Sequence, residues 1–369
     1  MYMKRTLVLL AAGLTAAALI TGCGGKADQK AQAQESISAE EKKEEGTEAE
    51  DTQAEKAETE KEADAAPAFD MKKESELIVA ASAGGGSDIC GRMIADVVQK
   101  NNLSPKNLVV VNKPGGACAV GYNYVGGKKG DDYTLLTLHS GNVLVSYVNN
   151  WDLKSDELAD IVAIMAYDDL TLCVNADGPY QDLESLVKAA KENPNTLKFG
   201  GSNKGNSDQL GYELLKKYAD VEMNYVTYDS SGDAATALLG GHVDVAILNP
   251  SECIGQVEAK KFKPIVTYAE ERLGGLFADA PTFKELGYDK VVVREYRGLS
   301  AAKGISEEAM AFYIDMAKKI TETKDWQEGY LEKYYLTPVF MGGKEAQDFA
   351  KKDVEEAMAV FKEIGYTGE

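Results

Sequence analysis

Histidine is nearly absent from this chain, with 2 in 369 residues, and so is tryptophan, also 2. The 5 cysteines are scattered, and none forms a CxxC pair. That leaves little material for a zinc site or a Ser-His-Asp set, and no metal and no catalytic residue is expected. Basic side chains are also in deficit, 40 against 60 acidic, for a formal charge of -20. A nucleic-acid binder neutralises phosphates with Lys and Arg, so that class is excluded. Long apolar runs are missing beyond the extreme N-terminus, so the body of the chain does not span a bilayer.

What is present begins with an address. Lys4 and Arg5 precede the apolar stretch Thr6 to Ile20, and Ile20-Thr21-Gly22-Cys23 follows. This is a basic n-region, an h-region too short to cross a membrane and a small-residue cleavage site. A cysteine directly after the small pair resembles the lipobox of bacterial lipoproteins, which implies lipidation at Cys23 and residues 1–23 as a signal peptide. One lipid thioether carries two acyl chains, enough for stable anchoring. Residues 24–76 then read as an acidic tether. Residues 26–76 hold 17 acidic and 8 basic side chains and almost nothing to bury, so this stretch is expected to be disordered. The remainder, from Leu77, carries a net charge of -13 and is acidic in its own right.

From Leu77 the pattern alternates strand and helix, with strands read at Leu77–Ser82, Leu108–Val111, Tyr133–Leu138, Ile161–Tyr167, Leu170–Val174, Leu197–Gly200, Met223–Tyr228, Val243–Leu248, Pro264–Thr267 and Val291–Glu295. After Glu295 the chain reads as mostly helical. Such alternation predicts parallel sheets with helices on both faces, and the strand count predicts two α/β lobes.

The residues able to do chemistry lie in polar turns after strands. Gly84-Gly85-Gly86-Ser87-Asp88 joins a strand to a helix whose free N–H groups and positive dipole end suit an anion. No G-x-G-x-x-G or G-K-[ST] signature accompanies it, so no nucleotide and no cofactor is expected. Gly201-Ser202-Asn203-Lys204-Gly205-Asn206 repeats this geometry in the second half, and Tyr228-Asp229-Ser230 and Asn249-Pro250 are further strand ends. In open α/β sheets ligands bind outside the carboxyl ends of strands, so these turns predict a cleft between lobes. Ser140 and Asn142, after the third strand, are placed with them, beside His139, which reads as a structural histidine. Cys90, Cys118, Cys173 and Cys253 are even in number, which permits disulfides, but apolar neighbours favour buried free thiols.

Read together, Leu77 to Gly91 (LIVAASAGGGSDICG), Val109 to Gly121 (VVVNKPGGACAVG), Gly130 to Leu136, Tyr228 to Asp244 (YDSSGDAATALLGGHVD), Asp279 to Gly287 and Arg297 to Gly304 resemble the solute-binding lipoproteins of tripartite tricarboxylate transporters, the Bug family. The resemblance implies a periplasmic-binding-protein-like fold, two α/β lobes joined by a two-strand hinge. Lobe 1 would comprise residues 77–173 plus 296–369, and lobe 2 residues 174–295. It implies a non-catalytic extracytoplasmic receptor, monomeric and lipid-anchored, that delivers a small carboxylate to the large and small membrane subunits of the transporter. The implied ligand-binding residues are Gly84, Gly85, Gly86 and Ser87 from lobe 1, and Gly201, Ser202, Asn203 and Asn206 from lobe 2. The strand ends add Ser140, Asn142, Tyr228, Ser230 and Asn249. Asp88 is expected to brace its own loop, and Arg297 either to clamp a distal carboxylate or to pair with an acid across the lobes. The alternative class is a surface α/β hydrolase or transferase, which the missing G-x-S-x-G elbow disfavours.

Overall fold

A computed structural model describes residues 69–366. The signal, Cys23 and most of the tether lie outside the described residues. Among the described residues, eleven strands form two sheets. The first orders its strands β11-β4-β10-β3-β1-β2 and is built from β1 (Ser75–Val79), β2 (Leu108–Asn112), β3 (Thr134–His139), β4 (Ala159–Tyr167), β10 (Tyr296–Ala302) and β11 (Thr337–Gly342). The second orders them β7-β6-β8-β5-β9, from β5 (Thr171–Asn175), β6 (Lys198–Ser202), β7 (Asn224–Tyr228), β8 (Val245–Leu248) and β9 (Phe262–Thr267). The helices are α1 (Gly86–Lys100), α2 (Ala119–Gly126), α3 (Ser140–Val148), α4 (Ser155–Leu158), α5 (Leu183–Glu192), α6 (Ser207–Ala219), α7 (Ser231–Leu239), α8 (Pro250–Glu258), α9 (Glu307–Glu322), α10 (Lys324–Trp326) and α11 (Lys344–Ile364).

Each sheet has its own apolar core. Leu77, Ile94, Leu135, Val162 and Leu299 centre the first, and Leu186, Phe199, Leu215, Val245 and Ile247 the second. A strand reading as a continuous apolar run, such as β8 (VAIL), is buried along its whole length.

Four expectations are corrected. The sheets are mixed rather than parallel: β10 runs antiparallel to both β3 and β4, and β5 antiparallel to β8 and β9, because the chain crosses between sheets on adjacent strands instead of through helices. The first crossing falls at Asp168–Leu170, so Thr171–Cys173 belong to the second sheet and not to lobe 1. The tether does not extend to 76: Ser75 already opens β1, Met71 is 3% exposed, and Phe69 packs on Tyr133, Phe312 and Tyr313. Val291–Glu295 is not a strand. Val291 and Val293 instead plug the core of the second sheet, and the return strand starts at Tyr296.

The C-terminal helix α11 spans both halves. Ala346, Ala350 and Val354 pack with Leu138 and Ile164 beside the first sheet, while Phe361 is buried in the core of the second. Residues 355–366 therefore do not belong to lobe 1 alone.

Candidate functional site

The carboxyl ends of β1, β3, β6, β7 and β8 meet at a seam between the two sheets, and the helices α1, α3, α7 and α8 start there. The α1 and α6 starts are built alike. Gly86-Ser87-Asp88-Ile89-Cys90-Gly91 matches Asn206-Ser207-Asp208-Gln209-Leu210-Gly211 in the positions of Ser, Asp and the second Gly. A Cβ on Gly91 would stand 2.9 Å from Thr137 Cγ2, and one on Gly211 2.8 Å from Ile247 Cδ1, so each glycine lets its helix lie close on its sheet.

In each half the aspartate ties down the preceding turn. Asp88 accepts from Gly84 N at 2.9 Å and from Asn112 Nδ2 at 2.9 Å, and pairs with Arg92. Burial opposes its charge, but Arg92, Gly84 N–H and Asn112 win, and the carboxyl sits below its ordinary value. Asp208 accepts from Ser202 N at 2.7 Å, Ser202 Oγ at 2.8 Å and Ser231 Oγ at 3.1 Å. It is more deeply buried, and burial with Glu295 nearby pushes it up to about 6. Asp208 was not singled out in the sequence, although the shared Ser-Asp-x-x-Gly pattern marks it.

Between the halves stands a buried ionic pin. Arg297, 2% exposed on β10, donates from Nε to Asp168 Oδ2 at 2.7 Å, from Nη1 to Ser87 Oγ at 3.2 Å and from Nη2 to Asn249 Oδ1 at 2.9 Å. Burial works against its charge, but Asp168 and Glu295 hold it above the ordinary arginine range. Asn249 also donates to Glu295 Oε2 at 2.9 Å and to the Asp168 carbonyl at 3.2 Å. Glu295 Oε1 lies 2.9 Å from His139 Nε2. Against the cost of burial, His139 and then Arg297 and Asn249 bring Glu295 down to about 2. Arg297 thus pairs with an acid where the chain crosses between sheets, and its donors do not face an open cleft.

Of the residues singled out in the sequence, Gly86, Ser87, His139, Asn142, Ser202, Asn203, Ser230, Asn249 and Arg297 line the seam. The others lie elsewhere. Gly201 faces Tyr225 and Ile247 inside the second sheet. Asn206 caps α6 by accepting from Gln209 N and donates to Ser202 Oγ. Ser140 Oγ accepts from Tyr296 N at the hinge. Gly84 and Gly85 abut Gly232 and Ser230 of the other half, and Tyr228 lies on the outer rim with Asp229 and Lys204. Missed lining residues are Ala81, Asp229, Ser231 and Glu252. The space remaining in the seam is about 20 Å³, room for roughly one water. The halves are therefore closed on each other. The four cysteines among the described residues are buried and free, with Cys173 Sγ 3.9 Å from Cys253 Sγ.

Residues 91–366 match the tripartite tricarboxylate transporter family receptor. The chain belongs to that family. A protein of Cupriavidus necator described as the UPF0065 protein in the gbd 5′ region is 28% identical over 78% of this chain and 86% of its own length. Among solved structures, the periplasmic binding protein BugD has a TM-score of 0.73 at 21% identity, covering 80% of this chain and 99% of its own. MatC of Rhodopseudomonas palustris, with bound malate, has a TM-score of 0.69 at 19% identity, covering 81% and 99%. The fold is periplasmic-binding-protein-like, and the family consists of extracytoplasmic solute-binding receptors rather than enzymes.

The receptor's acids give its stability an unusual pH profile. Burial raises Glu252 to about 8, Asp208 to about 6, and Asp169 and Asp353 each to about 6. Folded-state values above the unfolded ones mean that the native state holds more protons, so stability rises as pH falls from about 8 toward 5. Glu295, lowered to about 2, and Asp88, also lowered, work in the opposite sense, their contributions disappearing in acid. A thermal midpoint several degrees higher at about pH 5.5 than at about pH 8 is expected in a calorimetric scan; a midpoint at about pH 8 equal to or above that at about pH 5.5 contradicts it.

Proposed function

We propose that this chain captures a small carboxylate in the seam between its two lobes and delivers it to the large and small membrane subunits of a tripartite tricarboxylate transporter. Its working form is a monomer on the outer face of the cell membrane, held by a lipid on Cys23 and an acidic tether. The observation that carries the reading is the convergence of four helix starts on one seam, α1 and α3 from the first half and α7 and α8 from the second, with Gly86 and Ser87 facing Ser202, Asn203 and Ser230. Helix N-termini with free N–H groups are anion sites, and the malate bound to MatC fits that chemistry.

The magnitudes suffice. Charge-assisted hydrogen bonds contribute about 1.5–3 kcal/mol each, and micromolar binding needs about 8 kcal/mol. Five or six donors from the two lobes supply most of that without a dedicated arginine. Capture requires the halves to part at Asp168–Leu170 and Glu295–Tyr296 and then reclose, with α11 carried along. The hydrolase alternative is set aside, since the family is one of receptors.

Isothermal titration against di- and tricarboxylates, amino acids and aromatic acids tests the reading. Micromolar binding of at least one small carboxylate is expected, and silence across the panel overturns it. Mass spectrometry of the natively purified protein identifies any ligand it carries.

A further inference from the structure

A second cavity, of about 230 Å³, lies between α3, α11 and the first sheet and shares no lining residue with the seam. Val143, Ile161, Ala350 and Val354 give it apolar walls, and the rings of Tyr122 and Tyr147 add aromatic ones. An apolar cavity of about 150 Å³ already holds benzene, so there is room here for a ring with a substituent.

Two hydroxyls on this lining are unengaged. Tyr122 is 2% and Ser300 3% exposed, yet neither hydroxyl has a hydrogen-bond partner among the described residues. The polar groups around them are already paired. Asp156 accepts from Tyr147 Oη at 2.8 Å, Asp160 accepts from Lys303 Nζ at 2.7 Å, and Gln347 Nε2 donates to the Ile161 carbonyl at 3.1 Å. Three acids, Asp156, Asp160 and Asp348, line the cavity against two cations, Lys303 and Lys351. With no excess of positive charge to hold an anion, this is not a second place for the carboxylate. Free hydroxyls in a buried wall favour an occupant that hydrogen-bonds to them, and the apolar remainder favours one without charge.

We propose that this cavity is a second binding site of the receptor, for a small uncharged phenol. The ring is buried among the apolar walls, where pairing with the rings of Tyr122 and Tyr147 adds to the burial. The phenol hydroxyl donates to one of Ser300 Oγ and Tyr122 Oη and accepts from the other. Nothing in this assignment depends on what the seam binds.

The test is calorimetric titration of the full chain with phenol and, as the counterpart lacking the hydroxyl, benzene. Phenol is expected to bind at one site per chain, at least about tenfold tighter than benzene, as two hydrogen bonds to otherwise unpartnered groups imply. Ser300→Ala and Tyr122→Phe each weaken phenol by about threefold or more and leave benzene unchanged; each removes only a hydroxyl, and a thermal scan confirms that both fold. Gly232→Leu, whose side chain would meet the Gly84 carbonyl across the seam, leaves phenol binding as in the wild type. A cavity that holds water alone gives no phenol heat and overturns the proposal. Benzene binding as tightly as phenol overturns it as well, and so does a phenol affinity that neither hydroxyl deletion lowers. Loss of phenol binding in Gly232→Leu would move the site to the seam and overturn it, leaving the carboxylate reading to be judged by its own titration.

Discussion

Arg297→Met is expected to destabilise the protein by about 3–5 kcal/mol, the range for stripping one partner from a buried ion pair. The guanidinium is 2% exposed and Asp168 is fully buried. Their 2.7 Å contact is joined by bonds to Ser87 and Asn249. Removing the cation leaves Asp168, Glu295 and Glu252 facing one another with no arginine among them, which is why the cost exceeds that of a lost surface bridge. At about 2–4 °C per kcal/mol for a chain of this size, the midpoint should fall on the order of 10 °C. The deficit should shrink on acidification, because burial already pushes Asp168 up and the uncompensated carboxyl takes a proton in the folded state. Arg297→Met with Asp168→Leu should recover much of the loss, since an apolar replacement of a buried pair is often close to neutral. Denaturant unfolding decides: a single variant within about 1 kcal/mol of wild type, well short of that range, would show the pin to be incidental.

The same arginine explains part of what the sequence concealed. Tyr296–Ala302 (YRGLSAA) carries a charge, a glycine and a serine in seven residues, which does not read as a strand, yet every residue is buried. It is a central strand because Asp168 and Asn249 satisfy the charge, and Gly298 leaves room for the Ala163 carbonyl at a register shift opposite β4. The edge strand β11 was invisible for a different reason: Pro338 argues against a strand, and an edge is where it is tolerated. Conversely, Val291–Glu295 has strand-like composition but serves as two apolar plugs. Alternating segments from Leu108 to Thr267 were legible because their burial is local and periodic. Strands defined by partners far along the chain were not.

The site shows the same division. Polar turns at strand ends could be read off, since a strand, glycines and a helix start are contiguous. Which polar atoms face the seam could not. Asn206 and Ser140 have suitable chemistry but spend it on Gln209, Ser202 and Tyr296. Glu252 illustrates the limit well. Asn249-Pro250-Ser251-Glu252 predicts a capping box, with the carboxylate folding back on Asn249 N, and one oxygen does so. That the other crosses to Gly86 depends on a chain separation of 166 residues and the closure of two lobes.

Closure itself is exposed to a second large test. Gly232→Leu is expected to weaken binding of whichever carboxylate the wild type takes by at least about a hundredfold, or about 2.7 kcal/mol, while moving the thermal midpoint by no more than a few degrees. Gly232 is the second residue of α7, and a Cβ there would lie 3.0 Å from the Gly84 carbonyl oxygen, 3.3 Å from Gly84 C and 3.4 Å from Gly85 Cα. These are backbone atoms of the opposite lobe, held by the Asp88 brace, so no flexible side chain can yield. Leucine is a better helix former than glycine by up to about 1 kcal/mol, so α7 and the core of the second lobe do not suffer. The side chain acts only when the halves meet. It therefore separates two quantities that Arg297→Met changes together, the stability of the fold and the stability of its closed form. Scattering should show a more extended particle than wild type, unresponsive to ligand. A variant that compacts and binds like wild type would mean that the contact of Gly84 and Gly85 with the start of α7 is not part of the ligand-bound state.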